Sequence, residues 1–295
     1  MIKTVLIIPK IEVHNANALS SPFTIGFPAM TAWLGATHAL QRKLNSDGFE
    51  TLKFVATGVV SHKVNLQVHK GVGDYVHSIV GTSNPVDKDG KRPAFIEEAR
   101  VHLTISLIVE FSGLHKREEE QFLKRVRHHL MSRMKMAGGD ILRFRKPTID
   151  RVEDENEEDI KRVRRKLMSG YAIVERKDLM IEAMDRGLDA MDALLEYVSI
   201  ENSCEQDDNN KVLWTSRRKS AGWIVPIAIG FQGISKLGKA KNQRDADKPH
   251  RFAESVVTLG EFKMPYKIES LDEILWHYSI DSEHSLYLCE QNKNS

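Results

Sequence analysis

Cysteine is nearly absent: Cys204 and Cys289 are the only two in 295 residues. They stand far apart, outside any CxxC or Cys/His ligand spacing, which argues against both a disulfide framework and a zinc site. No apolar run reaches the length of a membrane-spanning helix. The N-terminus opens on a strand pattern instead of a charged segment followed by an apolar one, so export is not expected and the expected compartment is the cytoplasm. The GxxxxGK[ST] phosphate loop is missing, so nucleotide hydrolysis is not indicated. The short acidic repeats that hold magnesium in nucleases are missing too, and neither a metal nor a cofactor is expected.

What is present suffices for a folded protein. Hydrophobic residues make up 41% of the chain, enough for one large domain or a domain with a substantial insertion. The net charge of +2 conceals local separation. Glu153 to Asp159 reads EDENEED and is followed by KRVRRK from Lys161 to Lys166. On a solvated helix, Glu157 would pair with Lys161 and Glu158 with Arg162, acids leading. A second basic stretch carries Lys236, Lys239, Lys241, Arg244, Lys248 and Arg251 against Asp245 and Asp247. Gly233 and Gly238 make it a loop that a phosphate backbone can approach, although an acidic protein partner would fit it as well.

Periodicity gives an order of elements. A strand over Val5 to Val13 precedes a helix with Met30, Trp33, Leu34, Leu40 and Leu44 on one face. A second strand alternates at Val64, Leu66 and Val68. A third sets Val101, Leu103, Ile105, Leu107, Val109 and Phe111 against Arg100, His102, Thr104, Ser106 and Glu110, as in an antiparallel sheet with one polar face. A helix over Phe122, Leu123, Val126, Leu130 and Met134 then stops at Gly138-Gly139, before a short strand from Ile141 to Phe144. The expected fold is α+β, with a ferredoxin-like βαββαβ core over residues 1–147, the arrangement of RNA-recognition motifs and of many proteins unrelated to RNA. A charged, largely helical insertion is expected over 148–220, including one helix from Asp178 to Val198. Strands and a helix packed on the core are expected over 221–295, with Pro226 at an edge or bulge.

Between the first strand and the first helix lies NANALSSPFTIGFP, Asn15 to Pro28. Small polar side chains, two prolines and a glycine shape a loop that presents Asn15, Asn17, Ser20, Ser21 and backbone N–H groups at a helix N-terminus, a surface suited to phosphates and base edges. An ordinary ordered loop would have the same composition.

That string, followed by GATHALQRK at Gly35 to Lys43, resembles the Cas-five-type subunit family of type I-F (Csy) CRISPR surveillance complexes, the second of the Csy proteins. Further blocks resemble the same family in the same order: IEEARVHLTISL from Ile96, GWIVPIAIGF from Gly222, RFAESVVTLGEF from Arg251 and LDEILWHYS from Leu271. The resemblance implies a RAMP-type, non-catalytic RNA-binding subunit. It would hold the repeat-derived 5′ handle of the guide RNA, form the tail of the complex with the large subunit, abut the first backbone subunit, and meet target DNA through the assembled complex. It also implies a thumb hairpin at about 70–97, with Tyr75, Val76, His77, Ile79 and Val80 as stem and wedge and Lys88, Lys91 and Arg92 near phosphates. Asn15, Asn17, Ser20 and Ser21 would hold nucleotides. Arg42, Lys43, Arg143, Arg145, Lys146, Lys236, Lys239, Lys241, Arg244 and Arg251 would neutralise phosphates.

A rival reading is a metal-independent endoribonuclease that processes precursor RNA, with a histidine such as His38 or His62 as general acid or base. None of the 12 histidines has a nucleophile or carboxylate at a telling spacing. A third reading, a purely protein-bridging subunit, uses the basic loops on acidic partners.

Overall fold

A computed structural model describes residues 2–81, 86, 88–91, 98–153, 156–206, 211–241, 243, 245 and 247–291. The chain is a mixed α+β protein organised around a large antiparallel sheet. It begins with β1 (Ile2–Asn17), a small ladder of β2 (Leu19–Ser21) and β3 (Thr24–Ile25), then α1 (Met30–Ser46) and β4 (Lys53–Leu66). Two short strands, β5 (Val68–His69) and β6 (Ser78–Ile79), precede β7 (Arg100–Ser112) and α2 (Glu119–Ser132). A hairpin of β8 (Lys135–Met136) and β9 (Gly139–Arg143) follows. The strands β4-β7-β1-β9 lie side by side in that order, all antiparallel.

Period-two alternation dictates this layer. Leu6, Ile8, Ile11 and Val13 of β1 and Leu103, Ile105, Leu107 and Val109 of β7 face α1 and α2, burying Trp33, Leu40, Leu44, Phe122 and Val126 in the main core. Each large side chain removed from water there contributes roughly 1.5–3 kcal/mol. On the opposite face, Val5, Ile7, Val60 and Ile108 lie under α3 (Glu157–Leu167), which contributes Ile160, Val163 and Leu167. The helix is therefore amphipathic, solvated on one side only. Its expected pairings differ in detail: Lys161 meets Glu158 at 3.2 Å, while Arg162 turns to Asp159 at 2.6 Å and to Asp150 of β10 (Thr148–Glu153).

The stretch expected to be largely helical carries strands as well. β10 pairs with β1, and β11 (Tyr171–Glu175) pairs with both β4 and β15 (Ala253–Lys263). The single helix expected from Asp178 to Val198 is two, α4 (Lys177–Asp185) and α5 (Ala190–Val198), because Gly187 turns the chain at φ +98° and Asp189 caps the second helix by accepting from the Asp192 N–H. A hairpin follows, β12 (Glu201–Gln206) and β13 (Val212–Arg217), every residue of it exposed.

β14 (Ile224–Gly233), β15, β16 (Trp276–Asp281) and β17 (Leu286–Gln291) complete the sheet. With β4 and β11 they close a six-stranded ring, β11-β15-β14-β17-β16-β4, whose last pair returns to β11 through Tyr171↔Ser61 and Ala172↔Val60. Buried Trp276 donates to the Ile173 carbonyl at 3.0 Å across that ring. Pro226 pairs only toward β15, since the β17 ladder starts at Gly230, so the missing N–H removes no ladder bond on the other side.

Candidate nucleic-acid interface

The loop expected to display amides is more tightly structured than its composition suggests. Asn15 and Asn17 are among the last residues of β1, and Asn15 sits in a β-bulge at φ +55°, a left-handed conformation asparagine tolerates well. The Asn17 amide brackets Leu19, donating to its carbonyl at 3.0 Å and accepting from its N–H at 3.1 Å. The Ser20 and Ser21 hydroxyls both meet Thr24 Oγ1, at 3.0 and 2.5 Å, and Ser21 is buried. Ser21 therefore shapes the turn and presents nothing to a ligand.

The Gly138-Gly139 pair is no helix cap, because α2 ends at Ser132 with Arg133 as its cap. Ala137 at φ +47° and Gly138 at φ +78° form the two-residue turn of the β8–β9 hairpin, the geometry that matches strand twist. Gly139 is required by contact: a Cβ there would lie 2.6 Å from the His14 carbonyl and 2.7 Å from the Ala16 nitrogen. The hairpin tip docks on the end of β1, where Asn17 N–H donates to the Ala137 carbonyl at 2.8 Å.

This docking shapes a groove of about 800 Å³ along α1. Its floor is Ala29, Ala32, Gly35, Ala36 and Ala39, small residues on one helix face. Asn17, Ser20, Lys135 and the Ala137-Gly138 turn form one wall, and Phe231, Tyr278 and Tyr287 form the other. The two tyrosine rings lie 5.2 Å apart, and burial pushes both phenols above their ordinary pKa, so neither carries charge at neutral pH. The basic loop leaves from the rim two residues beyond Phe231. Lys236, Lys239 and Lys241 are exposed there, whereas Arg251 folds back against Gly233. Arg42 and Lys43 lie at the far end of α1 and do not line the groove.

The far end of the same hairpin is basic. Arg143 and Phe144 stand between two clefts. One, of about 560 Å³, adds Lys124, Arg127, His128 and Lys146. The other, of about 460 Å³, adds Lys10, Glu12, His62, Lys63, Thr104, Arg145 and Ser169. Arg143 holds Glu12 at 2.8 Å, which keeps that carboxyl below its usual range. His62 Nδ1 lies 2.5 Å from the Ser169 carbonyl and its Nε2 lies 2.7 Å from Ser106 Oγ. Burial lowers the His62 pKa, and nearby Lys10 and Arg145 lower it further.

Sequence reasoning selected Arg143, Arg145 and Lys146 and missed Lys10, Lys63, Arg127 and Lys135, which belong to unrelated segments. In the expected thumb, Tyr75, His77, Lys88 and Lys91 are exposed and the short β5–β6 ladder forms its base. Arg92 and Arg244 lie outside the described residues. Among the described residues, no three His, Cys, Asp or Glu side chains gather as metal ligands, and no helix is long and apolar enough to cross a membrane.

These features define an α+β protein with a large antiparallel sheet, a helix-floored groove and a cation-lined strand edge. The profile of the CRISPR-associated protein family Cas_Csy2 matches residues 6–289, and the chain belongs to that family. It is 31% identical over 312 aligned residues to the CRISPR-associated protein Csy2 of Pseudomonas aeruginosa (strain UCBPP-PA14), covering 97% of this chain and 94% of that one.

Proposed function

We propose that the chain is the Cas-five-type, non-catalytic subunit of a type I-F (Csy) surveillance complex in antiviral defence, and that it holds the 5′ handle of the guide RNA. The groove on α1 carries this reading. Small residues on its floor admit a backbone closely, the amide and lysine on one wall suit base edges and phosphate, and the aromatic wall offers stacking surfaces. The side-by-side order β4-β7-β1-β9, with α1 and α2 on one face, supports the ferredoxin-like reading of the core. In this reading the large subunit joins the chain at the tail, the exposed segment around Tyr75 and His77 reaches the neighbouring backbone subunit, and target DNA meets the assembled complex.

The test is co-expression with the neighbouring Csy subunits and a repeat-containing guide, purification through this chain, and sequencing of the retained RNA. Intact guides sharing one repeat-derived 5′ end, lost on combined Asn17→Ala and Lys135→Glu substitution with folding preserved, are expected. RNA-free or random-RNA protein overturns the reading.

A further inference from the structure

Among the described residues, no helix or strand layer covers the polar part of the sheet's second face. Where α3 and β11 lie over it, the residues are apolar: Val5, Ile7, Val60 and Ile108. Beyond them the face turns polar along every strand. One cross-strand row runs Arg143, Glu12, Thr104, Lys63 over β9, β1, β7 and β4, each pair in register. The next row places Asp140 beside His14 and His102 beside Asn65. His14 and His102 bridge β1 and β7 with their rings stacked, centroids 4.1 Å apart and planes 17° off parallel.

Solvent exposure explains polar side chains there but not the crowding of one sign. Lys10, Lys63 and Arg145 meet at one cleft, and the carboxylate that lines it, Glu12, is already held by Arg143. Lys10 sits at a β-bulge with φ +53°, a conformation costly for a lysine and one that places its side chain in the cleft. Its Nζ lies 2.7 Å from the His62 ring and 3.3 Å from the Ser169 carbonyl, both uncharged partners. Burial first, and then the neighbouring Arg145 and Lys63 charges, lower the Lys10 pKa. Such a cluster is favourable only when an anion arrives.

We propose that this polar part of the face is a second docking site for a single nucleic-acid strand, with Lys10, Lys63 and Arg145 taking a phosphodiester and the His14–His102 stack taking a base. It shares with the proposed function only the class of ligand, and it lies across the sheet from the α1 groove. Among the groups facing the ring pair, Asn15 N–H donates to His102 Nδ1 at 3.1 Å, which anchors His102 and leaves His14 as the outward ring.

The test uses the purified full chain and short labelled oligouridine and oligothymidine, titrated over a salt series. Lys63→Gln with Arg145→Gln is expected to weaken binding about tenfold and to flatten the log-log salt slope by about 1.4, from two contacts at about 0.7 each. The same double variant is expected to melt no lower than the parent, because it removes repulsion. His14→Ala is expected to weaken binding about fivefold, and His14→Phe to restore it. A preference for one probe identifies the strand as RNA or DNA. Affinity within about twofold of the parent together with an unchanged slope overturns the proposal. A clear fall in melting temperature of the double variant overturns it too, by assigning the cations a structural role. Retention of intact guides by that double variant, with no change on the short probes, sinks this inference and leaves the handle-binding reading standing.

Discussion

Lys10 Nζ lies 2.7 Å from His62 Nδ1, adding its charge to the burial that already disfavours a protonated ring. Burial first, and then the Lys10 cation, disfavour the protonated imidazole, so His62 is neutral at neutral pH and poorly suited to act as a general acid. Parent and His62→Gln alike are therefore expected to leave precursor repeat RNA uncut in a cleavage assay of the purified chain. Cleavage by the parent that His62→Gln abolishes would establish the endoribonuclease reading. The sign for stability follows from a folded pKa below the unfolded value near 6.5. The neutral ring contributes fully above about pH 6.5, and that contribution is lost as pH falls through the lower folded value. Denaturant melts at a series of pH values are expected to show this acid loss in the parent and a shallower one in His62→Gln.

Asp47, which ends α1, accepts from Arg125 Nε at 2.7 Å and His129 Nε2 at 2.6 Å, both on α2. Hydrogen bonding from Arg125, then from His129, holds its carboxyl well below the usual range. A depressed carboxylate pKa stabilises the fold above the unfolded value near 3.9, and the effect fades as pH falls below it. Asp47→Asn is expected to lose about 1–3 kcal/mol at pH 7, measured by chemical denaturation, and to reduce the acid dependence below about pH 4.

Adjacent glycines of the β8–β9 hairpin are expected to respond differently. Gly139→Ala drives a methyl against the backbone of His14 and Ala16, at about 1–3 kcal/mol of destabilisation. Gly138→Asn keeps a residue that accepts the left-handed turn and is expected to stay within about 1 kcal/mol of the parent. Thermal melts of the two variants compare them directly.

Gly35 faces open space in the groove floor, where a Cβ would meet no atom within 4 Å. Gly35→Leu is expected to stabilise α1 by about 0.5–1 kcal/mol, since glycine is a poor helix former. It fills the groove at the same time, so guide RNA retention is expected to fall while the melting temperature rises. Unchanged retention would move the RNA away from α1.

Much of the fold was legible from alternation. The apolar sets of β1 and β7, the α1 face from Met30 to Leu44 and the α2 face around Phe122 and Val126 each record which side meets the core. The Arg143 to Lys146 cluster was visible as well. Its partners were not, because Lys10, Lys63 and Arg127 are unremarkable where they stand in the chain. Ser21 misled in another way: a polar residue reads as a presented one, whereas the structure uses Ser21 for a buried hydroxyl contact with Thr24, while Asn15 stays exposed in its left-handed bulge.

By itself, then, the sequence determined the α+β class, the antiparallel core with one polar face, the helices that cover the other, and the resemblance that points to a CRISPR subunit. Local periodicity carries such information because burial acts residue by residue along each element. Only the tertiary structure decided that β4 pairs with β7, β11 and β16, closing a second ring of strands, and that the β8–β9 hairpin seats its tip on β1 to wall the groove. It also decided that Lys10, Lys63 and Arg145 share one cleft. Cross-strand register is set by bulges and long-range pairing, which leave no periodic trace in any one segment.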